Sequence, residues 1–202
     1  MSKIGIFSGA FDPVHAGHIA FALAAMQEAG LNQVYFLVEP KPRQKIGVTH
    51  LAHRHAMIKL ATQPYPGLKL LDLPDKQFSV AKTLPRLHQR FPVDELYFLA
   101  GSDLLEHMAK WPLINRLLFD MGLIIGFRSS NVVKTPQQLV GMLPVPAKEL
   151  HVLPSPMPTV SSGLIRAAVA QGMPCEGLLA SIQPYIASHW LYSSPSSSVS
   201  VS

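Results

Sequence analysis

Short apolar runs rich in Val, Ile, Leu and aromatic residues recur at 3–7, 33–38, 69–73, 95–100, 122–127 and 150–153, with helical patterns between most of them. Strands buried on both faces read as continuous apolar runs, and parallel neighbours need a crossover, usually helical, to connect them. The alternation therefore predicts an α/β fold, a doubly wound parallel sheet with a small C-terminal helical part. Helices are expected over 17–29, 51–63, 79–89, 135–142, 161–171 and 177–191. In the first of these Ile19, Leu23 and Met26 share a face, and Gly30 stands where a left-handed C-terminal cap belongs. Pro85 and Pro184 fall inside two of the patterns and are expected to kink or shorten them.

With 202 residues, 48% of them hydrophobic, the chain can bury a full core, and one domain over 1–192 is expected. The Ser-rich stretch 193–202 is expected to be a disordered tail. The formal net charge is +5, yet only 14% of residues are charged and the cations are scattered. That balance points to small anionic substrates rather than nucleic acid, and no basic and aromatic residues interleave in a binding stripe. Cys175 is the sole cysteine, so no internal disulfide can form, and a cytoplasmic location is expected. The N-terminus runs directly into the first strand, and apolar runs such as 19–26 are too short to span a bilayer, so no membrane association is expected. Oligomeric state is left open.

The segment Ser8-Gly9-Ala10-Phe11-Asp12-Pro13-Val14-His15-Ala16-Gly17-His18 joins the first strand to the first helix. Open α/β sheets bind ligands beyond the carboxyl ends of their strands, and a helix start offers unpaired N–H groups to an anion. Two imidazoles three residues apart, with a glycine between them, can face one bound polyphosphate. The loop lacks the G-x-G-x-x-G spacing of dinucleotide dehydrogenases and the G-K-[ST] ending of a P-loop. What it offers is histidines for phosphates.

Residues Phe11, Asp12, Pro13, His15, Gly17 and His18 resemble the F-D-P-x-H-x-G-H signature of the nucleotidylyltransferase superfamily. Further elements narrow the resemblance to the bacterial nicotinate-nucleotide adenylyltransferases, and it covers most of the chain. Gly101-Ser102-Asp103 with Trp111 is similar to that family's adenosine and pyridine-ring contacts. Val160-Ser161-Ser162-Gly163-Leu164-Ile165-Arg166 resembles its I-S-S-T-x-I-R phosphate clamp. Lys45 lies in the counterpart of its basic loop, and Arg128 matches an Arg after the corresponding strand.

The resemblance implies a Rossmann-like domain that transfers AMP from ATP to nicotinate mononucleotide and releases pyrophosphate. His15 and His18 would be catalytic. Gly9, Ala10, Phe11, Gly17, His18, Lys45, Gly101, Asp103, Ser161, Ser162 and Arg166 would bind ATP, and Ser79, Trp111 and Arg128 the acceptor. Mg2+ would arrive on the ATP phosphates, and no metal-binding residues are implied. His50, His53 and His55 lack a Cys or clustered carboxylate to complete a metal site.

Departures from the family pattern leave alternatives open. Ala10 and Gly163 each replace a hydroxyl residue, Ser8 replaces a glycine, and the segment from Gln77 to Thr83 lacks the family's P-S-Y-T residues, which help recognise the nicotinate carboxylate. The alternatives are another acceptor, such as nicotinamide mononucleotide, and a non-catalytic nucleotide-binding protein of the same fold.

Overall fold

The computed structural model describes residues 1–43, 45–127, 136–157 and 159–193. Six strands form one sheet: β1 (Lys3–Gly9), β2 (Gln33–Val38), β3 (Leu68–Leu71), β4 (Glu95–Gly101), β5 (Gly122–Phe127) and β6 (Leu150–Pro154). Their order is β3-β2-β1-β4-β5-β6, and every neighbouring pair is parallel. This is the Rossmann-like doubly wound arrangement expected. The chain winds outward from β1 in one direction, then returns to start β4 on the other side of β1. The crevice beyond the carboxyl ends of β1 and β4 is thus the topological switch point.

Helices α1 (Ala16–Ala29) and α2 (Leu51–Thr62) follow β1 and β2, and α3 (Thr83–Arg90) follows β3. Helices α4 (Ser102–Met108) and α5 (Ile114–Asp120) lie between β4 and β5, α6 (Pro136–Val140) precedes β6, and α7 (Ser162–Ala170) and α8 (Gln183–Ser188) end the chain. Successive strand residues point to opposite faces. Phe7, Val34, Phe36 and Leu99 accordingly join a core with Ile19 and Phe21 of α1, Met57 of α2 and Ile186 of α8. Ile6, Leu37, Phe98 and Ala100 join a second core with Leu84 of α3, Leu105 of α4 and Leu117 of α5.

Gly30 caps α1 in the left-handed region at φ 63°, as its position predicts. Neither proline kinks a helix. Pro85 and Pro184 both sit in the first turn, where a missing N–H costs no helical hydrogen bond. Each expected helix therefore begins later than its apolar pattern. Residues 79–82 form a turn ahead of α3, and 177–182 are not helical. The α4 and α5 helices were not expected: each has only seven residues, too few to show a period beside Trp111-Pro112. The Ser-rich stretch beyond Ser193 lies outside the described residues.

Candidate active site

The chain leaves β1 at Gly9 and reaches α1 through a tight loop. Phe11 takes a left-handed φ of 49°. Its ring is seated edge-on against Phe7 at 5.2 Å, Phe36 at 5.2 Å and His18 at 5.0 Å, contacts that offset the strain of a bulky residue in that region. Phe11 is thus a buried support rather than a wall of the site.

Asp12 is buried and gathers three remote segments. Its Oδ2 accepts the Thr49 N–H at 3.0 Å, its Oδ1 accepts the Tyr192 hydroxyl at 2.6 Å, and its carbonyl accepts Arg166 Nη1 at 2.7 Å. Next to it, the Pro13 carbonyl accepts the Ser162 hydroxyl at 2.9 Å. Burial, followed by the bond to Asp12, pushes the Tyr192 hydroxyl well above the usual tyrosine value, so it holds its proton and donates. Tyr192→Phe removes one hydrogen bond to a carboxylate, worth about 1.5–3 kcal/mol. The melting temperature is expected to fall by roughly 5 °C. A differential scanning calorimetry trace unchanged from wild type would show that this strap does not hold the loop.

His15 opens α1 and His18 lies one turn in, their rings stacked at 3.6 Å with 28° between planes. The His15 N–H donates to His18 Nδ1 at 3.3 Å. A backbone amide can only donate, so His18 Nδ1 accepts, and the neutral ring carries its hydrogen on Nε2. Gly17 leaves room beside the stack, because a Cβ there would lie 3.1 Å from His15 Nδ1, tighter than ordinary contact.

The crevice at the switch point has two lobes that meet at His18, Lys45 and Asp103. One is polar, lined by Asp12, His15, Ser161, Ser162, Gly163 and Arg166. Here Ser161 caps α7, its hydroxyl accepting the Leu164 N–H at 3.3 Å. Lys45 is open along part of its length, yet desolvation and then the charge of Arg166 lower its ammonium below the usual lysine value. Two cations that repel one another across a cleft are poised for an anion between them. The other lobe is largely apolar and aromatic, lined by Gly9, Ala10, Gly17, Phe98, Gly101 and Trp111, with Glu39 and Arg43 at its side.

The structure therefore brings together Gly9, Ala10, His15, Gly17, His18, Lys45, Gly101, Asp103, Trp111, Ser161, Ser162 and Arg166. Ser79 does not join them. Its N–H donates to Thr83 Oγ1 at 3.0 Å, and it serves the turn that starts α3. Arg128 lies outside the described residues. His50 is the N-cap of α2, and His53 Nδ1 is 2.9 Å from the Tyr185 hydroxyl.

Sequence reasoning missed Arg54, which is 1% exposed and bonded to four carbonyls. Its Nε reaches Thr49 and its Nη1 both Ala10 and Glu39, all at 2.8 Å, while Nη2 reaches Pro40 at 3.2 Å. Burial lowers this guanidinium from the usual arginine value, while Asp12, Tyr192 and Glu39 oppose that shift. A signal was present, since position 54 shares a helical stripe with Met57, Ile58 and Ala61, all buried. Tyr192, Glu39 and Arg43 gave no such local sign, because their partners are distant in the chain; Asp12 stands in the signature loop, but its ties to Thr49, Arg166 and Tyr192 were hidden for the same reason.

The cytidylyltransferase-like family profile matches residues 6–168. With a Rossmann-like sheet and paired histidines at its switch point, the chain belongs to that family of nucleotidyltransferases. Two similar curated proteins carry the same function in their names. The nicotinate-nucleotide adenylyltransferase of Bacillus subtilis (strain 168) is 34% identical over 203 residues, covering 96% of this chain and 100% of the relative. The probable nicotinate-nucleotide adenylyltransferase of Carboxydothermus hydrogenoformans is 33% identical over 197 residues, covering 95% and 98%. Among solved structures, Plasmodium falciparum nicotinic acid mononucleotide adenylyltransferase complexed with NaAD superposes with a TM-score of 0.79 at 19% identity, covering 95% of this chain and 98% of that one. That likeness is one of fold.

Proposed function

We infer that this protein transfers the adenylyl group of ATP to nicotinate mononucleotide, forming the dinucleotide and pyrophosphate in NAD biosynthesis. The observation that carries the reading is the junction of an anion-seeking lobe with an aromatic lobe at His18. A phosphate oxygen of the acceptor attacks the α-phosphorus of ATP in line. The bond from that phosphorus to the bridging oxygen breaks, and the electron pair leaves with pyrophosphate. No enzymic nucleophile is needed, so positioning and charge stabilisation supply the rate.

In this reading His15 and His18 meet the charge that grows at the α-phosphorus, with His18 donating from Nε2. Lys45, Arg166 and the start of α7 at Ser161 and Ser162 hold the outer phosphates, and Gly9, Ala10 and Gly17 let the nucleotide approach the backbone. Gly101 and Asp103 take the adenosine, and Trp111 the acceptor ring. Among the described residues no group of three or more His, Cys, Asp or Glu is placed to hold a metal ion. Asp12 and Asp103 are the carboxylates of the polar lobe, and Asp12 is already engaged. That donor set fits a divalent ion carried on the phosphates, and we assign Mg2+, which would neutralise phosphate charge there.

No helix among the described residues is long and apolar enough to cross a membrane. We place the enzyme in the cytoplasm, with 1–192 as the working unit. The test is pyrophosphate release from ATP and Mg2+ with nicotinate mononucleotide, nicotinamide mononucleotide and phosphopantetheine in parallel. Release is expected with nicotinate mononucleotide. ATP binding without release from any acceptor would make this a nucleotide-binding protein that has lost turnover.

A further inference from the structure

The aromatic lobe contains a cation that the phosphate chemistry leaves unused. Arg43 lies in the loop after β2, with its guanidinium carbon 4.8 Å from the centre of the Trp111 ring. Its Nη2 donates to the Phe78 carbonyl at 2.8 Å. Phe78 is itself buried and stacks on Trp111 at 5.8 Å, so the arginine is anchored to a fixed wall. The backbone of Phe78 is held as well. Glu39 Oε1 accepts the Phe78 N–H at 3.1 Å and the Ser8 hydroxyl at 2.9 Å. Ser8, Glu39, Arg43 and Phe78 thus form one bonded unit behind the indole, three of them lining the same lobe as Trp111.

The bond to Phe78 uses one of the five N–H donors of the guanidinium, and no other acceptor among the described residues takes the rest. Phosphates are served elsewhere, since Arg43 and Trp111 do not line the polar lobe. A planar cationic fork lying over an indole suits a flat ring that bears an anion: the aromatic lobe beside the pair receives the ring and the fork receives the charge. Adenine bears no such charge, and neither does a pyridine carboxamide. A pyridine carboxylate does.

We propose that Arg43 is the specificity-determining residue that selects a pyridine carboxylate over the carboxamide, pairing with the ring carboxylate while the ring lies in the Trp111 lobe. The proposal rests on the adenylyltransferase reading. Glu39 sharpens the choice. It supports the Phe78 backbone from which Arg43 is hung, and its charge repels a carboxylate that arrives without the arginine to neutralise it. The unit also supplies a carboxylate partner in a chain whose segment 77–83 lacks the family's residues for that task.

The test compares kcat/KM for nicotinate and nicotinamide mononucleotides in wild type, Arg43→Met and Arg43→Lys. In Arg43→Met the nicotinate-to-nicotinamide ratio is expected to fall by about 100-fold, chiefly through KM for nicotinate mononucleotide. Arg43→Lys keeps the charge but not the fork and should recover part of the ratio. A ratio within about threefold of wild type, whatever the absolute rates, overturns the proposal, because a merely structural wall would lower both acceptors together. Failure of the underlying reading would look different: wild-type protein would then release no pyrophosphate with either nucleotide.

Discussion

His18→Ala is expected to lower kcat by about 100- to 1,000-fold while ATP still binds. The expectation follows from the tautomer. Because the His15 N–H occupies His18 Nδ1, the donor that His18 can offer outward is Nε2. A donor aimed at charge that develops only during transfer contributes to the transition state more than to the ground state. Alanine deletes it, whereas the phosphates keep Lys45, Arg166 and the α7 N-terminus. His18→Gln returns an amide nitrogen close to the Nε2 position and should retain more turnover than alanine. Pyrophosphate release gives kcat, and calorimetric titration with ATP gives the binding constant. Equal loss in both, or an unchanged kcat, would remove His18 from the transition state.

Arg54→Met is expected to cost the most stability of any single change near the site. The methionine fills similar volume but strands the carbonyls of Ala10, Glu39, Pro40 and Thr49, which one guanidinium now satisfies. Each buried carbonyl left without a donor costs about 1–3 kcal/mol, and loops that can relax recover part of it. A net loss of about 3–5 kcal/mol would lower the melting temperature by roughly 10 °C. Arg54→Lys should fall between, since one ammonium cannot span four carbonyls on three segments. A melting temperature within about 2 °C of wild type for Arg54→Met would show that water replaces the guanidinium without difficulty.

The sheet was readable along the chain because each strand carries its own signal. A strand buried on both faces is apolar throughout, and the runs ending at Phe7, Val38, Ala100 and Phe127 needed no distant information. Helix starts were harder. Pro85 and Pro184 look like breakers in a helical pattern, but the turns before them move each start to where proline is harmless. The site divides in the same way. His15, Gly17 and His18 work as one local stretch and are visible as such, and Ser161 and Arg166 sit on one helix end. By contrast, Arg43 becomes informative only when Trp111, in the segment between α4 and α5, is folded against it. Ser79 shows the converse: its backbone N–H and carbonyl serve the turn that opens α3, and it does not line the crevice.

The hydroxyl of Tyr192 reaches Asp12 across 180 residues of chain. During synthesis the histidine loop leaves the ribosome among the first segments, and N-terminal portions fold ahead of later ones. Yet Arg166, Ser162 and Tyr192, which hold that loop in place, are made after the last strand. A nascent chain can therefore assemble all six strands while the histidine loop still lacks these partners. On the proposed function, turnover therefore waits on α7 and the Tyr192 segment closing onto the histidine loop.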